Sequence, residues 1–155
     1  MKKAVRSPAE ILQELDAFKA WSRSGPPGSQ ISPIDFIGFI ATPDLFFGFV
    51  GLFCPEVVQR RGGVFLASGF TDEALDAWLR KGTTLREAQR VMNHIHVSTL
   101  IQDQVVSDEL AIEIADHLAS IWNLTLGGHS VVAERIGTGA VDAATTFYVA
   151  DSGEQ

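Results

Sequence analysis

Asn93-His94-Ile95-His96 is the segment whose residue types most readily suggest chemistry. Two imidazoles at i and i+2 share a face only where the backbone is extended, because strand period is two and helix period is 3.6. His94 and His96 stand at the expected end of a helix, where the chain can straighten. With Asp103, or with Asp116 and His117 further along, they would form a three-ligand metal site. Without metal they would form an acid–base pair. The structural alternatives are one ring packed on the core and one exposed, or both rings holding the last carbonyls of the helix, where positive charge is favoured. The spacing is neither that of a zinc finger nor that of a metalloprotease. No cofactor or resident metal is therefore expected.

Other candidates are poorer. His129-Ser130 has no evident acid partner, and adjacency does not supply the geometry of a triad. Gly137-x-Gly139 lies between expected strands and no Gly-Lys-Ser/Thr occurs, so no phosphate loop is read. Asn123-Leu124-Thr125 matches a glycosylation sequon, but Met1–Pro8 is basic without an apolar run after it, so no secretory signal accompanies it. Cys54 is the single cysteine. Between Phe53 and Pro55 it is expected to be a buried apolar residue. Arg86 and Arg90, four apart on one helix, are neighbours that would hold an anion or an acidic partner. Solvated surface is the default for them and for Arg60-Arg61 and Arg80-Lys81.

A different kind of feature is the apolar block that six of the ten phenylalanines occupy, Phe36 to Phe53. From Ile31 to Phe53 its charged residues are Asp35 and Asp44 alone. It approaches the ~20 residues of a membrane span. Two acids and Thr42-Pro43 interrupt it, and a central Asp costs about 2.5–3.5 kcal/mol on insertion scales. No membrane span is expected. Ser32-Pro33-Ile34-Asp35 and Thr42-Pro43-Asp44 instead read as caps with proline early in the helix and an acid in the first turn. They predict two short helices, 33–40 and 43–53, although a buried strand over 34–41 is compatible with the aromatic content. Phe46, Phe47, Gly48, Phe49, Gly51 and Phe53 are the expected wall of a pocket or an interface. Gly48 and Gly51 share a face and leave a notch for a neighbouring backbone or a flat ligand.

The elements around these residues read as follows. Ser7-Pro8-Ala9-Glu10 is a capping box, and a helix is expected over 6–24, ended by the Gly/Pro linker 24–29. Residues 54–61 extend the Phe-rich helix by a turn. A strand is expected near 64–68, then helices from Thr71 to about 81 and from Thr84 through Ile95, the latter with Leu85, Ala88, Val91, Met92 and Ile95 inward. The longest helix opens at Ser107 and carries Leu110, Ile114, Leu118, Ile121 and Trp122 on one stripe. A hairpin occupies 130–149, with strands 131–136 and 143–149. Residues 151–155 are expected to fray.

The order is helices, strand, helices, hairpin. It defines an α+β fold, a mostly helical single domain over 1–155, with a small antiparallel sheet of the 64–68 strand and the hairpin covered by helices. At 155 residues one core suffices without disulfides. The net charge is −7. Residues 1–90 hold eleven basic against ten acidic side chains, whereas 91–155 hold Arg135 against nine acids. Nucleic acid is not an expected partner. The sequence supports a non-catalytic, cytoplasmic binding or accessory protein, a homodimer, that receives a peptide segment or apolar small molecule on the Phe-rich helices or at a sheet edge. The alternatives are a small enzyme working through His94 and His96, and an acidic inhibitor or immunity-type protein that covers a basic partner.

Overall fold

The structure, a computed structural model, describes residues 5–25, 32–102 and 105–150. The 26–29 part of the expected linker, Asp103 and the 151–155 tail lie outside them. The fold is a mixed α+β one, and the chain divides into two compact units, Met1–Phe49 and Val50–Gln155.

The first unit holds α1 (Pro8–Leu12), α2 (Asp16–Arg23), α3 (Pro33–Ile40) and most of α4 (Pro43–Phe53). The single helix expected over 6–24 is instead two, because the chain turns at Gln13–Leu15 and Leu15 restarts it in an extended conformation. That turn places Ile11 and Phe18 in the interior. The cap at α1 is the expected reciprocal one, with Ser7 Oγ accepting from Glu10 N and Glu10 Oε2 accepting from Ser7 N. α3 repeats it with Ser32 and Asp35. Both bounds of the two Phe-rich helices agree with the reading from Ser32 and Thr42. Phe36 is buried and meets Phe18 edge-on at 5.2 Å and Trp21 at 5.3 Å.

The second unit holds β1 (Val57–Arg60), β2 (Gly63–Leu66), α5 (Asp72–Arg80), α6 (Leu85–Met92), β3 (Ile95–His96), α7 (Val97–Leu100), α8 (Asp108–Thr125), β4 (Val131–Ile136) and β5 (Ala144–Val149). The turn of helix expected after Cys54 is β1. Val57 and Val58 pair with Leu66 and Phe65, and Arg61 and Gly62 turn the hairpin at φ +52° and +82°. Positive φ at both central positions is what a tight two-residue hairpin needs. The 64–68 strand therefore finds its ladder partner in β1, not in the C-terminal hairpin. The hairpin has its own sheet, in the order β3-β5-β4, all antiparallel.

The two sheets are nonetheless neighbours. β2 and the part of β5 beyond its short pairing with β3 are bridged by the side-chain amides of Gln89 on α6 and Asn93 at its C-cap. α6 keeps Leu85, Ala88 and Met92 of the inner face its apolar residues suggest, packed with Phe65 and Leu75, and adds polar residues to it. Ala88, Gln89 and Asn93 are buried and Val91 is exposed, while Ile95 has left the helix for β3. α8 buries Leu118 and Trp122 of its expected stripe, packs Ile114 against a second cluster, and adds alanines to the inner face. Ala111, Ala115, Leu118, Ala119 and Trp122 face the sheet, since alanines allow close helix–sheet approach. Trp122, Phe147, Val64 and Leu66 centre the main core, with Leu52 and Phe53 packed against it. Trp122 Nε1 donates to Leu52 O (2.8 Å) and Thr125 Oγ1 to Phe53 O (2.8 Å), which ties the end of α4 to α8.

Candidate functional site

α4 is the anomaly of the chain. Ten of its eleven residues are uncharged, it begins at a Thr42 cap, and none of its side chains is buried. Phe47 is 70% exposed, and Phe46, Phe49 and Leu45 are also exposed. On α3 the same holds for Ile34, Ile37, Phe39 and Ile40. Of the expected wall residues, Phe53 alone joins the core, because it lies where α4 meets α8. Gly48 and Gly51 lie open, and a methyl group built on either meets no atom within 4 Å. A helix apolar all round is ordinarily a buried one. Cys54, expected inside, is exposed just beyond it. The packing that would have covered it stops at Phe53.

The histidine pair behaves as extended backbone requires. The rings of His94 and His96 sit 4.8 Å apart and nearly perpendicular. His94 Nδ1 is held by the carbonyl of Val91. The His94 ring helps line a shallow cleft of about 360 Å³, with Glu87, Arg90, Val91, His96 and Ile136. His96 Nδ1 is buried without a hydrogen-bond partner among the described residues. Glu87 Oε2 accepts from Thr84 N and Oγ1, and these bonds hold its carboxyl below the usual range.

Of the other proposed ligands Asp103 lies outside the described residues, and Asp116 and His117 do not form a ligand group with the pair. Asp116 receives Arg135 Nε at 2.9 Å, and His117 follows it on α8. Among the described residues no group of three or more His, Cys, Asp or Glu side chains is placed to hold a metal ion. Arg86 and Arg90 are neighbours, as their spacing implies, but both lie over the Tyr148 ring, at 4.3 and 5.8 Å. Arg90 also pairs with Glu134 at 2.6 Å.

Sequence reasoning missed three amides. Gln89 Oε1 accepts from Val64 N and Val149 N. Asn93 accepts from Leu66 N and donates to Val64 O and Phe147 O. Asn123 exchanges two 2.8 Å bonds with the backbone of Ala133 on the outer side of β4. The sequon at Asn123 is thereby a structural amide. The signal is present in Gln89 and Asn93, polar residues four apart and flanking the apolar positions Ala88 and Met92.

These features define a small α+β protein that carries an apolar helical surface and a shallow histidine cleft. No protein-family model, curated protein or solved structure matches it.

Proposed function

We propose that the chain is a non-catalytic binding protein whose contact surface is the apolar α3–α4 segment. The observation that carries this reading is an eleven-residue, nearly uncharged helix without one buried side chain. Exposed apolar surface of that extent marks an interaction site in soluble proteins. The anchors fall at helical spacing, so the mode is a helix face laid against an apolar partner surface. Strand addition at the sheet is the weaker form of the reading, since Gln89, Asn93 and Asn123 already satisfy backbone groups along β2, β4 and β5. No described helix is long and apolar enough to cross a membrane. Anisotropy of a labelled, apolar helical peptide titrated with the full chain tests the proposal. Saturable binding that Phe47→Glu abolishes, with an unchanged melting curve, is expected. Equal binding by Phe47→Glu would remove the surface from consideration.

One observation favours a second reading, chemistry at His94 and His96. The Val91 carbonyl fixes the His94 ring, which lines the cleft together with Arg90 and Glu87. Tautomer fixing by a backbone carbonyl is what a ligating or proton-moving imidazole requires. Elemental analysis of the purified chain, with His94→Ala as the control, tests its metal form. Stoichiometric metal lost in the variant would put this reading first.

A further inference from the structure

Granting that α3–α4 is a contact surface, we propose that its occupant is a second copy of this chain, with α4 packed antiparallel against α4 of that copy. The argument starts from area. Eight exposed apolar side chains on α3 and the first half of α4 have exposures between 41% and 77%. At ~200 Å² for each large apolar side chain, they leave roughly 900 Å² in water. The largest apolar patch on a typical monomer is about 300–600 Å². A standard interface takes about 800 Å² from each partner, and permanent homodimer interfaces are the more apolar ones. Summed over all faces of the two helices, the exposed surface is of the size of one half of such an interface.

The helix is also self-complementary. Asp44, Phe47, Gly48 and Gly51 fall at i, i+3, i+4 and i+7 and share a face. That face carries a projecting ring, Phe47, beside two hollows at Gly48 and Gly51. A two-fold interface uses the same patch twice, so knob and hollow must sit on one element. Among the described residues of a single copy no atom comes within 4 Å of a methyl group built on either glycine, although each weakens a helix relative to alanine. A closely approaching backbone gives them a use.

Direction follows from charge. In a parallel pair the two Asp44 carboxylates would meet. In an antiparallel pair centred on Gly48 they stand roughly 12 Å apart at 1.5 Å rise per residue, with the helix dipoles opposed. A lipid leaflet fits less well. Membrane-surface helices carry Lys and Arg on a polar face, and α3 and α4 have neither such residues nor such a face. Asp35 also keeps its charge, because Ser32 hydrogen bonds lower its pKa.

Sedimentation equilibrium of the full-length chain, with Gly48→Leu, Gly51→Leu and Phe47→Glu, is the test, joined to flotation with phosphatidylcholine/phosphatidylglycerol vesicles. The wild type should be a dimer. Each leucine should weaken it by roughly tenfold or more, with circular dichroism unchanged, although it adds apolar surface. Lipid binding or unspecific association would instead strengthen. Under mild oxidation Cys54 should not cross-link two copies, since antiparallel order holds the two thiols far beyond the ~7 Å Cα limit of a disulfide. A monomer up to about 100 µM, a dimer insensitive to either leucine, co-flotation with vesicles, or a Cys54 cross-link would each overturn the proposal. A monomer that still binds the apolar peptide through Phe47 would sink the second copy alone. A chain that does neither sinks the contact surface with it.

Discussion

Gln89 and Asn93, one helical turn apart on α6, stand between β2 and β5 and take the hydrogen bonds that a backbone ladder would otherwise make there. Asn93 bridges Val64 O and Phe147 O with one nitrogen, at 2.8 and 3.0 Å. Gln89 collects Val64 N and Val149 N on one oxygen. Along β5 the sequence of partners is then β3 at Thr145, Asn93 at Phe147 and Gln89 at Val149. Two sheets that share no rung are thus held as neighbours, and every backbone group at the seam named here keeps a partner.

Replacing Asn93 removes a fully buried amide and orphans Leu66 N, Val64 O and Phe147 O. Unsatisfied buried groups cost about 1–3 kcal/mol each. Asn93→Ala should therefore lose about 3 kcal/mol or more in urea denaturation. Asn93→Leu separates hydrogen bonding from volume. It fills the space, so near-wild-type stability of the leucine variant would show that the amide's bonds matter little.

Much of the helical half of the fold is legible in the sequence because its signals are local. Ser7, Ser32, Thr71, Thr84 and Ser107 announce their helices by caps that the structure contains. The hairpin is legible from the glycine-bearing turn region 137–140 between the segments 131–136 and 143–149. The illegible parts are set by tertiary contacts. β1 reads as a further turn of the Phe-rich helix before Gly62-Gly63, whereas its identity depends on pairing with β2. The buried amides Gln89 and Asn93 go unread because they are polar, and a polar residue belongs inside only when backbone groups far along the chain await it, although Leu85, Ala88 and Met92 are read correctly. The Phe-rich block is located correctly, but its openness is a matter of what is absent from around it, which no local pattern encodes.

Acid should act first on the capping boxes. The carboxyls of Glu10, Asp35 and Glu87 are each held below their ordinary range, chiefly by hydrogen bonds from Ser7, Ser32 and Thr84. A folded-state pKa below the unfolded one gives stability that is complete above the unfolded value and lost as pH falls through the folded value. Ellipticity at 222 nm should hold at neutral pH and begin to fall below about pH 4. Glu87→Gln, which keeps an acceptor without the charge, should flatten part of that fall. A profile identical to wild type would remove the Glu87 carboxylate as a contributor.

The β4–β5 connection is built on Gly137, at φ +80°. A methyl group there would lie 2.1 Å from the Asp142 carbonyl oxygen. Asp142 in turn accepts from Thr138 N and Gly139 N, which holds its carboxyl low. Gly137→Ala meets both a disfavoured φ and a rigid backbone clash, and should cost about 2–3 kcal/mol. Gly38→Ala is the contrast. Gly38 lies inside α3, its added methyl meets nothing within 4 Å, and helix propensity should gain about 1 kcal/mol. Thermal melts of the two variants should move in opposite directions, and a common direction would refute the assignment.

Asn123 guards the outer edge of β4. Its amide accepts from Ala133 N and donates to Ala133 O, both at 2.8 Å, as a neighbouring strand would. β4 lies at the end of the strand order, so those two groups face away from β5. An uncovered edge is a template for another chain. Asn123→Ala should lower stability by about 1–2 kcal/mol, and should also add concentration-dependent association that light scattering detects. That association would be insensitive to Gly48→Leu, because it runs through the sheet and not through α4. Asn123→Asp keeps the acceptor for Ala133 N but cannot donate to Ala133 O, and should fall between the two. If Asn123→Ala melts as the wild type does and scatters no more light on concentration, β4 needs no guard and the amide is incidental.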